Sequence, residues 1–215
     1  MNTPVTPFKF GTVTVPDGQR GPWRINSFTL TEDDVMLANL RYIRDGNAYM
    51  RCPPGDYRRL THKDRGVIMS NTPMEINTAR EAIRDATGHV LVNGLGLGVV
   101  VEAMLHKPEV QSIIVVEIDE DVVKLVWPHI CKVAKLTGKK VGIAVADAER
   151  FVLHDLIQLD YVWHDIWDQI DDDNLPQMTR LVRKYQRRAG KQGVWSREQA
   201  RKLREQMRRD DRRWG

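Results

Sequence analysis

The sequence predicts an α/β fold with a mainly parallel β-sheet of about five strands. From residue 88 onward, short apolar segments alternate with segments of helical periodicity, and glycine or proline stands at the connections. The segment Ser112–Glu117 is almost continuously apolar, which is typical of a strand buried on both faces. Because repeated β-α-β units with short connections build parallel sheets, these features together predict the fold class.

The individual strands and helices of this half follow from local pattern and from residues that end helices. Strands are predicted at His89–Asn93, Ser112–Glu117, Lys140–Val145, Asp160–His164 and Gln192–Trp195. Helices are predicted at Val99–His106 and at Asp119–Val126, the second with a break near Pro128. A third helix is predicted from an apolar face that begins at Leu175, and it stops at Gly190. A last helix is predicted from Ser196 to about Arg213.

The N-terminal part has a different pattern, which predicts a small α+β extension. Proline and glycine punctuate two β-prone segments, Phe8–Val15 and Arg24–Leu30. Thr31 is a good N-cap for a helix that ends at Gly46. We therefore expect short strands and one helix before the main sheet.

A helix start is indicated where the extension joins the main sheet. Thr72, Pro73 and Glu75 have the pattern of a capping box with proline at the first helical position, which predicts a helix to about Ala86. The predicted organisation is an extension at 1–71, a central domain at 72–195 and a basic C-terminal helix at 196–215.

Composition excludes several classes of protein. The chain has 215 residues, of which 41% are hydrophobic and 29% are charged, as in a globular protein. No apolar run approaches the ~20 residues that span a bilayer, and no signal peptide is visible, so we expect no membrane insertion. The two cysteines, Cys52 and Cys131, argue against a disulfide framework and indicate a cytoplasmic location.

Charge is distributed unevenly along the chain. Residues 180–215 hold 14 Lys and Arg against four Asp and Glu, whereas the remainder is mildly acidic. Nucleic-acid contact through the basic C-terminal helix is therefore one candidate partnership. The alternatives are a surface helix packed on its own acidic domain or on a second subunit of a homo-oligomer.

A glycine-rich turn, Asn93–Gly98, follows the first predicted parallel strand. Glycines let the backbone turn tightly and approach a ligand, and the N-terminus of the next helix offers N–H groups. The spacing is G-x-G-x-G, whereas a dinucleotide site requires G-x-G-x-x-G and would place its third glycine where Val99 stands. A cofactor with a pyrophosphate is therefore disfavoured.

Acidic residues follow the next three predicted strands. Glu117 stands 23 residues after Gly94, near the spacing at which an acid binds ribose hydroxyls. Asp147 follows the third strand, where a carboxylate can accept from the exocyclic amine of adenine, and Asp165 follows the fourth. Because the carboxyl ends of parallel strands form one ligand crevice, these acids predict a nucleoside cofactor there.

These segments resemble those of a known family. Val90–Gly98, Val116–Asp119 and Ala146–Ala148 are similar to the motifs of class I S-adenosylmethionine-dependent methyltransferases, and most similar to the spermidine synthase-like branch. The resemblance covers residues 88–170, and the whole chain also resembles short methyltransferase-like proteins of bacteriophages. It implies a Rossmann-like sheet, but the sequence after the fourth strand is short, so we expect the family's last hairpin to be missing.

The resemblance implies S-adenosylmethionine, or its decarboxylated form, as the cofactor. Glu117 would bind the ribose, Asp147 with Ala148 would bind the adenine, and Asp165 would lie nearest the sulfonium. Asn93 stands where many members carry an acid. The complete set of implied cofactor contacts is Asn93, Gly94, Leu95, Gly96, Gly98, Glu117, Ile118, Asp147, Ala148 and Asp165.

Asp165 and its neighbour His164 are the candidate catalytic residues. Asp165 would orient or deprotonate a nucleophile beside the methyl donor, and His164 is a second candidate base, although strand alternation directs adjacent side chains to opposite faces. Histidine and cysteine lack zinc-site spacing, so we expect no metal. Trp163, Trp167 and Trp195 fit either a substrate pocket or the core.

Three functions are compatible with these residues. The first is methyl transfer from S-adenosylmethionine to an unidentified small-molecule or macromolecular acceptor. The second is aminopropyl transfer to a polyamine from decarboxylated S-adenosylmethionine. The third is a non-catalytic binding module for a nucleic acid or a host protein.

Overall fold

The structure is a computed structural model that describes residues 15–44 and 51–214, except for the side chains of 212–214. It contains two β-sheets, an antiparallel sheet of four strands and a parallel sheet of five. Of the predicted strand Phe8–Val15, all but Val15 lies outside the described residues, as does Gly46. No helix in the described ranges is both long and apolar enough to cross a membrane.

The antiparallel sheet precedes the parallel one in the chain. Its strands pair in sequence order, and a helix lies between the second strand and the third. The elements are β1 (Gly18–Arg20), β2 (Trp23–Leu30), α1 (Glu32–Arg44), β3 (Gly55–His62) and β4 (Gly66–Ser70).

Two short helices, α2 (Pro73–Thr78) and α3 (Arg80–Asp85), connect the sheets. The predicted continuous helix is wrong, because the backbone leaves helical geometry at Ala79. The predicted capping box is also wrong, since Thr72 makes no side-chain cap. The Glu75 carboxylate instead accepts hydrogen bonds from the amide and the hydroxyl of Ser70, both at 2.6 Å, which ties α2 to the end of β4.

The parallel sheet confirms the predicted fold class. Its strand order is β7-β6-β5-β8-β9, and every neighbouring pair is parallel. Its elements are β5 (Gly88–Asn93), α4 (Val99–Leu105), β6 (Val110–Glu117), α5 (Glu120–Thr137), β7 (Lys140–Val145), β8 (Leu159–His164), α6 (Leu175–Tyr185), β9 (Ala189–Val194) and, after the sheet, α7 (Arg197–Trp214).

Helix α5 corrects one further expectation, because it runs through Pro128 without a break. Proline in a helix interior costs about 3 kcal/mol. Val122, Val126, Ile130 and Val133 of this helix are all buried along one face, and burying such side chains stabilises each by about 1.5–3 kcal/mol. Packing therefore outweighs the proline.

The two sheets share one hydrophobic core. Trp23, Ile25 and Leu60 of the antiparallel sheet are buried in the same cluster as Val122 and Val126 of α5. This packing places one face of the antiparallel sheet beside the carboxyl ends of the parallel strands, where the predicted site residues lie.

Candidate functional site

A cavity of about 390 Å³ opens at the carboxyl ends of the parallel strands. Its floor is formed by the residues that follow β5, β6, β7 and β8, and its roof by residues of β2, β3 and β4. Glu75, Ile76 and Thr78 of α2 line one side. The volume falls within the range of small-molecule sites, roughly 300–1,000 Å³.

Most of the predicted site residues meet in this cavity. Asn93, Gly98 and His164 do not line it. The predicted residues that do are Gly94, Leu95, Gly96, Glu117, Ile118, Asp147, Ala148 and Asp165. The three strand-end acids and the first two glycines therefore share one wall, as their places in the sequence predict.

The glycine turn is shaped by close contacts within the protein. Gly94 and Gly96 have φ angles of 97° and 51°, in the region that favours glycine. A Cβ at Gly94 would collide with the carbonyl oxygen of Asp165, and a Cβ at Gly96 would collide with the sulfur of Met69. The turn therefore lies in close contact with Asp165, after β8, on one side and with Met69 of the roof on the other.

Three backbone amides of this turn donate hydrogen bonds within the protein. The amide of Gly94 donates to the carbonyl of Val116 at 2.8 Å, and that of Leu97 donates to the Met69 sulfur at 3.0 Å. Leu95 donates its amide to Glu117 at 2.8 Å. These three hydrogen bonds fix the shape of the turn, and the strand-end acids add polar groups to the cavity.

Glu117 is directed towards the glycine turn. Its Oε2 accepts from the Leu95 amide, and its Oε1 accepts from the Asp119 amide at 2.9 Å. Burial raises the pKa of this carboxyl, and the amide hydrogen bonds act in the opposite direction. A carboxylate offers about four acceptor positions, and the amides of Leu95, Ile118 and Asp119 bond to this one, so Glu117 retains the capacity to accept from a ribose hydroxyl.

Asp147 and Ala148 form the β7 end of the cavity. Asp147 Oδ1 accepts from the amide of Glu149 at 2.8 Å, which fixes the local turn. Its side chain is 38% exposed, and Oδ2 lies 3.7 Å from the Arg150 guanidinium. The residue thus combines a fixed backbone with a carboxylate oxygen able to accept from an amine.

Asp165 is the acid whose protonation is most altered. Burial raises its pKa to about 7; a hydrogen bond from Trp163 Nε1 at 3.4 Å opposes this shift, and the charge of Glu75 adds to it. A carboxyl with a pKa near neutrality can exchange a proton with a ligand at physiological pH. Asp165 is therefore a suitable acid or base at the β8 end.

His164 lies on the opposite face of β8, as strand alternation predicts. Its Nδ1 is 2.8 Å from the side-chain nitrogen Nδ2 of Asn93, and its Nε2 is 3.0 Å from Gln192 Oε1. Its ring centre is 5.7 Å from that of Tyr185 in α6. Burial lowers the pKa of His164 to about 4, so His164 and Asn93 form a neutral network beneath the sheet, away from the cavity.

Sequence reasoning missed several residues of the cavity. Trp23, Arg65 and Met69 belong to the antiparallel sheet or its turn, and Glu75 belongs to α2. No local motif marks them, since they reach the cavity only through tertiary packing. The three tryptophans expected in either a pocket or the core, Trp163, Trp167 and Trp195, all line the cavity.

Four side chains make a continuous bridge across the cavity mouth. Asp119, after β6, accepts from Trp23 Nε1 at 2.6 Å. The guanidinium of Arg65, in the β3–β4 turn, lies 4.8 Å from the Trp23 ring centre and pairs with Asp168 at 2.5 Å. This Trp23–Arg65 bridge joins the roof to both sides of the floor.

Asp171, Asp172 and Asp173 have ligand atoms close enough to hold a metal ion. Asp171 accepts from the Asp173 amide at 2.9 Å and so caps a short 3₁₀ turn. Asp172 pairs with Arg204 of α7 at 3.1 Å. These contacts give the acids a structural role in fixing the turn and α7.

Fold and cavity together define an α/β protein with a crevice of small-molecule size at the carboxyl ends of its parallel strands. No protein-family model matches the chain, and a search of curated proteins finds no match. Similar solved structures include the 23S rRNA methyltransferase ErmE, at 13% identity over 55% of this chain and 44% of that chain, with a TM-score of 0.40.

Two further similar structures are methyltransferases. TrmK of M. capricolum, in complex with S-adenosylhomocysteine, is 10% identical over 51% of this chain and 46% of that chain, with a TM-score of 0.40. An S-adenosylmethionine-dependent methyltransferase of Clostridium acetobutylicum is 13% identical over 53% of this chain and 43% of that chain, with a TM-score of 0.35. This chain spans less than half the length of each of these three structures.

Proposed function

We propose that the chain binds S-adenosylmethionine in the cavity and transfers its methyl group to an acceptor. The observation that carries this proposal is the convergence of Glu117, Asp147 and Asp165 with the glycine turn on one cavity wall. When bound, the cofactor supplies an electrophilic methyl group on a sulfonium.

The order of strands supports a specific orientation. Asp147 lies after β7, Glu117 at the end of β6, the glycine turn after β5 and Asp165 after β8. Three gaps of about 4.8 Å between neighbouring strands span about 14 Å. A nucleoside lying along this edge would meet an acceptor for the adenine amine, then one for the ribose, and then the acid at the reacting end.

Asp165 is suited to take a proton from the acceptor. With a pKa of about 7 it is partly ionised at neutral pH, and only the ionised form can accept the proton that an amine or hydroxyl loses on methylation. Trp163 holds the carboxylate in place by its indole N–H. The remaining contribution is orientation of the acceptor in line with the methyl group.

The composition of the walls supports aminopropyl transfer as a second candidate, consistent with the resemblance to the spermidine synthase-like branch. Acids and tryptophans together suit an amine acceptor, through ion pairing and cation–π contact. The residues concerned are Glu75, Glu117, Asp119, Asp147, Asp165 and Asp168, with Trp23, Trp163, Trp167 and Trp195. In this reaction the donor would be decarboxylated S-adenosylmethionine.

Nucleic-acid contact through α7 is a separate proposal. Between Arg201 and Asp211 every residue except Arg204 is exposed. Three of its arginines are partly neutralised by ion pairs, Arg201–Glu198, Arg204–Asp172 and Arg209–Glu205. Fluorescence anisotropy with RNA and DNA oligonucleotides would test it. Binding that weakens steeply as salt rises supports the contact, and no binding at low salt excludes it.

Calorimetric titration with S-adenosylmethionine and S-adenosylhomocysteine tests the proposed function. We expect Glu117→Ala to lose about 1–3 kcal/mol of binding free energy through its lost charge-assisted hydrogen bonds. The matched control is Glu120→Ala, an exposed acid that pairs with Lys124 on α5, which should bind as the wild type does. If the folded wild-type chain binds neither ligand at millimolar concentration, the proposal is wrong.

A further inference from the structure

We propose that Arg65 binds the carboxylate of the cofactor's amino-acid tail, so that the cavity selects S-adenosylmethionine over its decarboxylated form. This inference rests on the proposed function and extends it from the cofactor class to a specificity-determining residue. It also separates the two transfer reactions, because only one of them uses a donor that carries this carboxylate.

The first support is the charge of the cavity. Six carboxyl groups line it, whereas Arg65 is the sole Lys or Arg among its described lining residues. A ligand with only positive groups needs no cation in its site. A ligand carboxylate in such surroundings needs one, because an unpaired anion beside several carboxylates is strongly disfavoured.

The second support is the place of Arg65 along the cavity. Its Nη1 lies 2.5 Å from Asp168 Oδ2, and Asp168 follows β8, at the end of the cavity opposite Asp147. With the adenine at Asp147 and the ribose at Glu117, the tail of the nucleoside extends towards this end. Arg65 is therefore at the end where the carboxylate would lie.

The third support is the preorganisation of the guanidinium. It stacks 4.8 Å from the centre of the Trp23 ring, and Trp23 is itself fixed by its hydrogen bond to Asp119. The Arg65 side chain is 46% exposed at the cavity mouth. A guanidinium carries five N–H donors in a planar fork, and the bond to Asp168 uses Nη1, so other donors of the fork can engage a second carboxylate.

A purely structural role makes a different prediction. If Arg65 only fastened the β3–β4 turn to Asp168, then removing either partner would have the same consequence for every ligand. If Arg65 binds the tail, its removal affects only ligands that carry the carboxylate. Removing Asp168 would then leave that affinity unchanged or increase it, because a competitor for the guanidinium is lost.

The experiment compares affinities for three ligands by calorimetry. S-adenosylhomocysteine carries the complete tail, decarboxylated S-adenosylmethionine lacks the carboxylate, and 5′-methylthioadenosine lacks the tail beyond the sulfur. We expect Arg65→Ala to weaken S-adenosylhomocysteine at least tenfold and to change the other two less than twofold. Arg65→Lys should restore part of the loss, since it keeps the charge but not the fork.

Two controls complete the design. Lys63→Ala removes an exposed cation from the same turn and should bind all three ligands as the wild type does. Asp168→Asn should bind S-adenosylhomocysteine at least as tightly as the wild type. Thermal unfolding of each variant verifies its fold, and Arg65→Lys and Asp168→Asn keep the test informative if Arg65→Ala fails to fold.

The outcomes show whether the inference about Arg65 fails alone or fails together with the proposed function. If Arg65→Ala leaves S-adenosylhomocysteine affinity unchanged, or weakens all three ligands equally, or if Asp168→Asn reproduces its effect, the inference is wrong while nucleoside binding stands. If the folded wild-type chain binds none of the three ligands, the proposed function fails and the inference fails with it.

Discussion

The floor and the roof of the cavity are built in different ways. The floor comes from consecutive strands of a parallel sheet, whose ends place Glu117, Asp147 and Asp165 side by side. The roof comes from an antiparallel sheet, whose Trp23 bonds a residue 96 positions away and whose Met69 bonds one 28 positions away. The floor supplies the groups that would touch a nucleoside, and the roof supplies enclosure and Arg65, the single Lys or Arg among the lining residues that the structure describes.

This contrast indicates that the two regions should respond differently to mutation. Changes in the roof should affect stability and enclosure together, because Trp23 belongs both to the core and to the cavity. Changes in the acids of the floor should affect ligand affinity and pH dependence more than packing.

The largest expected effect is at Trp23. The side chain is 5% exposed and sits within the shared core, so Trp23→Ala should lower the free energy of unfolding by about 3–5 kcal/mol. Urea unfolding followed by circular dichroism measures this loss. Trp23→Phe is the matched variant, since it keeps a ring but removes the hydrogen bond to Asp119, and it should cost distinctly less. Equal stability of wild type and Trp23→Ala would show that the roof is not packed on the floor.

The next effect is a pH dependence set by Asp165. Its pKa rises from the ordinary value of 3.8 to about 7 in the folded chain. The contribution of Asp165 to the free energy of unfolding is therefore fully present below pH 3.8 and is lost as the pH rises through about 7. Asp165→Asn should be more stable than the wild type above neutrality, by at most about 4 kcal/mol, and the difference should vanish in acid.

His164, on the other face of the same strand, provides the control for that series. Its pKa falls from 6.5 to about 4 on folding, so its contribution is present above pH 6.5 and is lost as the pH falls through about 4. Relative to the wild type, Asp165→Asn should therefore gain stability as the pH rises, and His164→Gln should gain stability as the pH falls. Two curves parallel to that of the wild type would show that neither group is buried as described.

The smallest expected effect is at Met69, where roof and floor touch. Met69→Leu keeps the apolar volume but removes the sulfur that accepts from the Leu97 amide, so we expect a loss of about 0.5–1.5 kcal/mol in the free energy of unfolding. Met207→Leu, on an exposed part of α7, is the matched control and should change nothing measurable. A larger loss at Met207 than at Met69 would contradict the contact.

The floor could be predicted from the sequence because its determinants are local. A continuously apolar strand followed directly by an acid, as at Glu117, fixes both the element and the place of its last side chain. Strand alternation likewise separates Asp165 from His164. The fold class and the convergence of the three acids follow from such patterns, together with the rule that crevices form at the carboxyl ends of parallel strands.

The roof could not be predicted because its determinants are tertiary. Nothing near Trp23 or Arg65 in the sequence indicates that they reach Asp119 and Asp168. Tertiary contacts also override local signals elsewhere. Glu75 bonds Ser70 instead of closing a capping box, and the buried face of α5 carries the helix through Pro128.

A crystal structure of the chain with S-adenosylhomocysteine would show whether the cavity binds the cofactor and how. We expect a nucleoside along the edge of the parallel sheet, with its ribose hydroxyls on Glu117 and its adenine beside Asp147 and Ala148. A ligand bound elsewhere on the chain, or one in the cavity that makes no contact with Glu117, would contradict it.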